Sequence, residues 1–440
     1  MTTAAARRPI VLAAALAVCL ALAATPAHGQ STGATWLQER LKSARAGEVI
    51  DVPPGEYTGP FVITQPVVLR GHHRVVLHGD RTTHVIAVRA PDVVIEGFEI
   101  RGSGLELGKD HAAIHVRGAR AAILDNRILE SLHGVYVHQA DRVRIERNVI
   151  TGTSHTLELV NPFAGRPAAS GGELCEVPLA QDRRGNGIHA WNSVGLVIAG
   201  NVIRDTRDGI YFSFVDQSEV RDNDIAGVRY GLHYMYSDEN HFADNIFRDS
   251  AAGAALMYSK GITLRRNTFA GNRNHRAHGL LMYTVDETEV RDNVITGNTM
   301  GLFIEQSQGN TVTGNVVTKN HVGIHISISS DDNTFWDNVF AGNLHPVETS
   351  GTSQRNRWAR DGRGNYWDGT VRLDLDGNGI GDVAHRELDL FGSLRRPFPA
   401  IGLLSGSPGE RLLRFVHSRL ALPGLPGLID PAPLLRAPRR

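Results

Sequence analysis

The chain has 440 residues with 46 basic and 46 acidic side chains, so its formal net charge at pH 7 is zero. No extended block of like charge occurs, and this argues against nucleic acid as a partner. Length alone would predict two or three globular domains, but a repeat architecture removes that limit because each coil buries its core against the next.

The N-terminal residues predict a secretory signal peptide. Two arginines precede an apolar run at 10–24, which is too short to make a stable membrane span. Small residues, Ala27 and Gly29, stand three and one positions before a cut after residue 29. We therefore expect segment 1–29 to be removed and the mature chain to be secreted.

The two cysteines restrict how the fold is held. Cys19 would leave with the signal peptide, unless it carries a lipid anchor, an alternative weakened because Val18 stands where such signals prefer a small residue. Cys175 is then alone, so an internal disulfide is excluded and packing must hold the fold.

Two features predict an N-terminal cap. Residues 36–44 have the pattern of a short amphipathic helix, and residues 53–57 predict a turn that enters the first coil. Together they would cover the open end that a stack of coils otherwise exposes.

A repeat of 22 residues follows. One marker is an asparagine, and the other is a glycine 14 residues before it. The marker asparagines are Asn148, Asn201, Asn223, Asn245, Asn267, Asn293 and Asn315, and the matching glycines are Gly134, Gly187, Gly209, Gly231, Gly253, Gly279 and Gly301.

Residues one and three positions after each marker glycine are mostly apolar, which predicts a strand with one buried face. The sequence therefore predicts an all-β fold, a right-handed parallel β-helix of about a dozen coils over residues 30–345. We expect the glycine to supply unusual backbone angles at one corner, and the asparagine to adopt a left-handed conformation or bond turn backbone at another. Recurring Asp-Asn pairs such as Asp222 and Asn223 are interpreted as turns rather than catalytic carboxylates.

Two interruptions break the period. The larger, near 152–183, contains Cys175 and is interpreted as an insertion that carries function or only decorates a loop. The smaller adds four residues near 273–277 and brings His275 close to His278.

The repeat is predicted to stop after about Phe340, so that residues 346–440 form a C-terminal cap. Within it, Asp374, Asp376, Asn378 and Asp382 have the spacing of oxygen ligands in a calcium loop. The twelfth position is His385 instead of glutamate, so a metal-free turn rich in Asp and Asn stays an alternative to calcium.

A helix from 407 to about 420 begins with a capping box and carries an apolar stripe that includes Leu413 and Val416. The Pro-rich tail after it, like the stripe, would either cover the rod or dock on a partner at the membrane.

Several segments together resemble the NosD family of accessory proteins for nitrous oxide reductase. The resemblance covers nearly the whole mature chain, and its most specific segments are RGNGIHAWN at 184–192, YGLHYMY at 230–236, ALMYS at 255–259, GNYW at 364–367, the loop at 374–382, DLF at 389–391 and IDP at 429–431.

This resemblance implies a periplasmic role, without catalysis, in assembling the copper–sulfide centre of nitrous oxide reductase. It also implies a complex with an ABC transporter whose membrane and ATPase subunits are separate chains. The β-helix would then bind the reductase or a copper donor protein, and the apolar C-terminal segment would dock on the transporter.

The main alternative is a carbohydrate-binding protein or a polysaccharide lyase or epimerase. Such enzymes need a general base and charged groups clustered on neighbouring coils. No such Asp, His, Lys and Arg group stands out from the repeat. A purely structural or adhesive protein is a third interpretation.

The outward face of the central coils predicts a metal site or a client surface. Positions two and four after the glycine point outward, which places His233 and Met235 on one face with Met257 one coil further, ~4.8 Å away. One imidazole and two thioethers favour Cu(I) over calcium. The alternative is a patch for a protein client, and the partner-binding residues expected on this surface and on the C-terminal stripe are His189, Trp191, Tyr211, Tyr283, Leu413 and Val416.

Overall fold

The computed structural model begins with a helix, α1 (Gln30–Ser43), and continues as a parallel β-helix. Leu37 and Leu41 of α1 are buried against the first coil, which confirms the predicted N-terminal cap. The predicted signal peptide at 1–29 lies outside the described residues. These are 30–161, 166–167, 173–274, 277–327, 329–349, 355–388, 398–404, 407–410, 412, 416 and 427–438.

Each coil contributes one strand to each of three parallel sheets. The first sheet has 12 strands: β1 (Glu48–Asp51), β4 (Val67–Arg70), β7 (Val94–Glu96), β10 (Ala122–Leu124), β13 (Arg144–Glu146), β19 (Val197–Ala199), β22 (Glu219–Arg221), β25 (His241–Ala243), β28 (Thr263–Arg265), β31 (Glu289–Arg291), β34 (Thr311–Thr313) and β37 (Thr334–Trp336).

The second sheet has 13 strands: β2 (Gly55–Thr58), β5 (Val75–His78), β8 (Glu99–Arg101), β11 (Arg127–Ser131), β14 (Val149–Gly152), β20 (Val202–Arg204), β23 (Asp224–Ala226), β26 (Ile246–Arg248), β29 (Thr268–Ala270), β32 (Val294–Thr296), β35 (Val316–Thr318), β38 (Val339–Ala341) and β40 (Tyr366–Trp367). Gly55 to Tyr57 therefore form a strand of the first coil, so the turn predicted over 53–57 is wrong beyond Pro54.

The third sheet has 12 strands, and several are longer than those of the other two sheets: β3 (Phe61–Ile63), β6 (Ile86–Val88), β9 (Ala112–Val116), β12 (His133–His138), β18 (Ile188–Val194), β21 (Asp208–Asp216), β24 (Tyr230–Met235), β27 (Ala252–Lys260), β30 (His278–Asp286), β33 (Met300–Glu305), β36 (Val322–Ile326) and β39 (His345–Thr349). Its outward face carries the candidate site.

The core fills the interior of the rod with one layer per coil. Side chains one and three positions after the marker glycine are buried, as the alternation predicts. Ile210, Phe212, Leu232 and Leu256 all have zero exposed fraction.

The marker asparagines form a buried ladder of hydrogen bonds along the rod. In each coil the Oδ1 atom accepts from the backbone N–H and the Nδ2 of the preceding marker, as between Asn245 and Asn223 at 3.1 and 2.9 Å. The left-handed residue is the one before the asparagine, for example Asp222 with φ 57°. The prediction of a left-handed asparagine is therefore wrong, while its bonding to backbone is confirmed.

The marker glycines are required by close approach rather than by unusual backbone angles. None of the seven has a positive φ. A Cβ atom on Gly231 would lie 2.5 Å from the carbonyl oxygen of Gly253 in the next coil, well inside van der Waals contact. The predicted role in backbone angles is wrong, because the steric limit comes from the neighbouring coil.

The large insertion leaves the register of the rod intact. Val149 pairs with Val202 and Val135 pairs with Ile188, each across 53 residues. Between β14 and β18 the chain forms an antiparallel sheet of three strands, β15 (His155–Asn161), β16 (Arg166–Pro167) and β17 (Glu173–Pro178). The small addition also leaves the stacking intact, because Asn272 bonds to Asn298 across 26 residues. His275 lies outside the described residues.

Stacking continues further than predicted at the C-terminal end. β39 lies in the third sheet and β40 in the second, and Asn338 bonds to Asn365 at 2.8 Å. The end of the repeat near 340, and hence the boundary at 345, is too early, because a longer connection before Asn365 hides the final marker from a search at fixed period.

A short antiparallel pair closes this end. β41 (His385–Leu388) pairs with β42 (Gly427–Asp430), and the buried Asp430 accepts the last hydrogen bonds of the ladder. Within the described ranges, short 3₁₀ helices lie at Leu107–Lys109, Gln181–Arg183 and Pro399–Leu404. At the predicted C-terminal helix, the Glu410 N–H donates to Ser407 Oγ at 3.1 Å, as a capping box predicts.

Candidate functional site on the third sheet

A column of aromatic and imidazole rings runs along the outward face of the third sheet. Tyr136, His189, Tyr211 and His233 occupy equivalent positions on successive coils. Their neighbouring ring centroids lie 4.6, 4.7 and 4.9 Å apart. The parallel register produces this column, because one position per coil is repeated at the spacing between strands.

Beside the column lies a depression of about 640 Å³, called here the polar cleft. It is built by β12, β18, β21 and β24 together with the loop that follows Leu107–Lys109. Its lining is Leu107, Asp110, His133, Tyr136, His138, Arg184, Asn186, His189, Trp191, Arg207, Asp208, Tyr211, Ser213, Arg229 and His233.

Asp208 fixes the orientation of His233. Its carboxylate, whose side chain is 2% exposed, accepts from His233 Nδ1 at 2.9 Å and from two nitrogens of Arg229 at 2.8 and 2.6 Å. Burial raises the pKa of Asp208, but the bonds from His233 and Arg229 outweigh burial and hold the pKa below its ordinary value. Since a carboxylate can only accept, Nδ1 of His233 carries a hydrogen, and Nε2 of the neutral ring offers its lone pair to a ligand.

His133 has the opposite arrangement. Asp110, His133 and His189 bring one ligand atom each within 4.8 Å of one another, a spacing that is compatible with a metal. However, Nδ1 of His133 accepts from the backbone N–H of Asn186 at 2.9 Å, so Nε2 of the neutral ring carries the hydrogen. The triad therefore fits a hydrogen-bonding group better than a metal centre.

Burial keeps several imidazoles of this face neutral. It lowers the pKa of His189 to about 3, with the neighbouring His133 as a further cause, and it lowers the pKa of His115 to about 3. The pKa of His84 is lowered to about 4, first by burial and then by the charge of His111. Imidazoles that are neutral near pH 7 serve as hydrogen-bond partners or metal ligands without losing a proton first.

Next to the polar cleft, further along the rod, lies a depression of about 490 Å³ with mostly apolar walls, called here the apolar groove. Met257 and Tyr283 are register partners within it. Its lining is Met257, Tyr258, His278, Leu281, Tyr283, Met300, Phe303 and Glu305.

The three predicted copper ligands lie where the cleft and the groove meet. Met235 and Met257 are register partners on β24 and β27, and His233 lies two residues before Met235 on the same strand. His233 lines the polar cleft, whereas Met257 lines the apolar groove. Met282, assigned to the core by its position, has zero exposed fraction.

The predicted partner-binding residues divide between the two depressions. His189, Trp191 and Tyr211 line the polar cleft, and Tyr283 lines the apolar groove. Val416 is 42% exposed, while Leu413 lies outside the described residues.

An exposed aromatic ladder borders the apolar groove and was not predicted. Phe214, Tyr236 and Tyr258 stack at 5.3 and 5.1 Å, with their planes 11° apart. All three have a left-handed backbone, with φ between 50° and 55°. Bulky residues rarely adopt this conformation. Equivalent positions in other coils hold residues such as Asn192 and Gln306, so the aromatic choice is specific to this surface.

The calcium prediction at residues 374–382 remains a proposal. Asp374 accepts from the N–H groups of Asn378 and Gly379 at 3.1 and 2.9 Å, and Asp382 accepts from Leu375 N–H at 2.6 Å. These bonds within the loop also fit the alternative of a metal-free turn. His385, the twelfth residue counted from Asp374, is buried and stacks on Trp367 at 4.9 Å. Its side chain therefore packs against the end of the β-helix.

Sequence reasoning missed the charged part of the polar cleft. The cleft brings together five such side chains: Asp110, His133, Arg207, Asp208 and Arg229. The prediction that no cluster of Asp, His, Lys and Arg side chains stands out from the repeat is therefore wrong. Asp208 and His133 each immediately precede a marker glycine, and the arginines lie one position earlier. Reading the positions before each glycine, as well as those after it, would have found them.

Comparison with known proteins identifies the family. A family model described as "Periplasmic copper-binding protein (NosD)" matches residues 169–371. Two relatives are both named "Probable ABC transporter binding protein NosD". The one from Stutzerimonas stutzeri is 32% identical over 404 residues, which covers 88% of this chain and 86% of the relative. The one from Pseudomonas aeruginosa is 34% identical over 400 residues, which covers 87% of each.

The chain belongs to the NosD family. Solved structures show the shared fold alone: a periplasmic alginate epimerase has a TM-score of 0.51 at 12% identity, covering 74% of this NosD-family chain and 87% of that chain. A Yersinia enterocolitica family 28 exopolygalacturonase also has a TM-score of 0.51, at 10% identity, covering 76% of each chain. Among the described residues of this NosD-family chain, no helix combines the length and apolarity needed to cross a membrane.

Proposed function

We propose that this chain is a periplasmic factor for assembly of the copper–sulfide centre of nitrous oxide reductase. It would act with an ABC transporter and bind the reductase or a copper donor protein. The description of the family as periplasmic copper-binding proteins supports the location and the metal. The names of the two relatives support the association with a transporter.

The observation that carries the copper role is the thioether pair of Met235 and Met257 beside His233. The two methionines face outward on neighbouring coils, and the lone pair of His233 Nε2 is left free by the bond from Nδ1 to Asp208. Two soft sulfur ligands and one imidazole suit Cu(I) and disfavour calcium or magnesium. Copper would be held transiently as cargo, at the junction of the cleft and the groove.

The apolar groove and the exposed aromatic ladder would form the surface for a protein client. Aromatic and methionine side chains are adaptable and enriched in such interfaces. Exposed Val416 and the neighbouring Leu413 would contact the transporter. These contacts fit an accessory protein that holds a partner rather than an enzyme.

Anaerobic titration with Cu(I) against a competing chelator tests the metal site. We expect the Met235→Leu, Met257→Leu double variant to bind Cu(I) at least about tenfold more weakly, a loss of ~1.4 kcal/mol. Met300→Leu is the matched control, because Met300 lines the groove outside the predicted ligand set. Equal Cu(I) affinity in wild type and the double variant would remove this site and leave only the client surface.

The polar cleft favours one second candidate, a lyase or epimerase for acidic polysaccharides. His233 oriented by Asp208, with Arg229 beside it, has the elements of a general base and a charge stabiliser. Incubation of the purified protein with alginate or polygalacturonate decides between the two, since turnover would establish the enzyme.

A further inference from the structure

Three arginines from successive coils line one rim of the polar cleft. The backbone N–H of Arg207 donates to Gly185 O, next to Arg184, and the N–H of Arg229 donates to Arg207 O, both at 2.7 Å. These bonds hold the three residues in adjacent coils, in the turns that precede β18, β21 and β24. Like charges at this spacing repel one another, and the repulsion grows where water is partly excluded.

Among the residues that the structure describes, only Arg229 of the three has a carboxylate partner. Arg229 is paired with Asp208 at 2.6 Å. The guanidinium of Arg184 donates to backbone carbonyls, those of Leu179 at 3.1 Å and Asp205 at 3.3 Å. Within the part of the chain that the structure describes, the Arg207 guanidinium has no hydrogen bond, and its Nε is buried.

A second buried donor faces the same cleft. Because Nδ1 of His133 accepts the Asn186 N–H, its Nε2 carries the hydrogen. That Nε2 is buried without a hydrogen bond among the described residues, and the nearest carboxylate, Asp110, is 3.8 Å away. A buried donor without an acceptor is costly, so the cleft favours a ligand that supplies negative oxygens.

We propose that the polar cleft binds a small oxyanion or the carboxylate of a larger ligand at Arg184 and Arg207. The planar fork of a guanidinium fits two oxygens of a carboxylate, sulfate or phosphate, and His133 Nε2–H supplies a further bond. The volume of about 640 Å³ exceeds that of an inorganic anion, so an anionic group on a sugar acid also fits. This inference is independent of the copper role, because it uses neither methionine.

Calorimetric titration of the metal-free protein tests the proposal, with sulfate, inorganic phosphate and digalacturonate as separate probes in a buffer of low chloride content. We expect binding of at least one probe, weakened about tenfold in Arg207→Gln and in Arg184→Gln, because each change removes a charge-assisted bond. Binding of sulfate or phosphate identifies an inorganic oxyanion, and binding of digalacturonate alone identifies a sugar acid.

The matched control is Arg221→Gln. Arg221 lies in the first sheet, away from the cleft, and is already paired with Glu219 at 2.9 Å and Asp222 at 3.0 Å. We expect it to leave anion binding unchanged, with circular dichroism confirming that all variants fold. Absence of binding by every probe, or equal binding in wild type and Arg207→Gln, overturns the proposal. Cu(I) affinity unchanged in Arg207→Gln keeps this result separate from the copper role.

Discussion

At the scale of single residues, each ladder asparagine satisfies buried backbone as well as its own side chain. Nδ2 of Asn245 donates to the Val220 carbonyl at 2.8 Å and to Asn267 Oδ1 at 2.9 Å, while its own Oδ1 accepts two bonds from Asn223. The side-chain amide of Asn245 thus has hydrogen-bond partners for both its oxygen and its nitrogen although it is buried. This explains why asparagine recurs at the position. The period in the sequence showed that a residue at this corner was required, but it carried no information about which neighbour takes the left-handed conformation.

His115 makes stability depend on pH. It stacks between His84 and Tyr136, and burial lowers its pKa from 6.5 to about 3. Between these two values the unfolded chain binds a proton that the folded chain does not, so stability falls as pH falls below 6.5. Above 6.5 this contribution is constant. We expect the melting temperature to drop between pH 6.5 and 4.5, and less steeply in His115→Gln.

The exposed His241 on the first sheet provides the control for this measurement. His241→Gln should keep the full dependence on pH. If His115→Gln has the same slope as wild type, His115 does not contribute to the loss of stability in acid.

At the scale of elements, the insertion is attached to the rod at two adjacent points. The Leu179 N–H donates to Ser154 O at 2.8 Å. The chain therefore leaves the β-helix at Ser154 and rejoins it at Leu179, directly beside the point of departure. The sequence predicted the insertion because the register resumes after it. The antiparallel sheet inside it could not be predicted, since its short strands follow no period.

Excision of residues 155–178, joining Ser154 directly to Leu179, should leave a folded rod. The coils on either side already pair with one another, so their stacking needs no residue of the insertion. We expect a cooperative melting transition and a far-ultraviolet circular dichroism spectrum typical of a parallel β-helix.

A deletion of equal length inside the coils is the matched control. Removing residues 224–247 takes out 24 residues where the period is 22, which shifts the register by two positions and should prevent stacking. An unfolded excision variant would mean that the insertion supports the core.

At the scale of the whole molecule, the polar cleft is assembled from distant parts of the chain. Asp110 belongs to a coil that precedes the first marker glycine. In this part of the chain, residues at equivalent positions of successive coils, such as Asp92 and Arg120, are separated by 28 residues instead of 22. A search at fixed period therefore excluded this coil. The metal-ligand candidates on later coils were predictable, because register and pleat alone place them on one face.

The C-terminal closure should control how the rod unfolds. Asp430 Oδ2 accepts from the backbone N–H of Asn365 at 2.7 Å and from Trp367 Nε1 at 2.9 Å. Asp430→Ala leaves these donors buried without an acceptor, at about 1–3 kcal/mol each. Since coils are stabilised mainly by their neighbours, we expect faster hydrogen exchange in the last coils first, together with a lower melting temperature.

Asp361→Ala is the control, because the Asp361 side chain is 91% exposed. It should leave hydrogen exchange of the last coils unchanged. Protection of the Asn365 and Trp367 amides that stays the same in Asp430→Ala would show that the ladder ends stably without the carboxylate.

The asparagine ladder also gives the rod an electrical polarity. From Asn126 to Asn365 every side-chain amide points the same way, with Nδ2 toward the C-terminal neighbour at 2.8 to 3.1 Å. Aligned amide dipoles add, so the positive end lies where Asp430 is placed, as an acidic residue lies at the N-terminus of a helix. Although its net charge is zero, the molecule therefore has a positive and a negative end. Each added coil would lengthen the dipole, while the single carboxylate of Asp430 would still lie at its positive end.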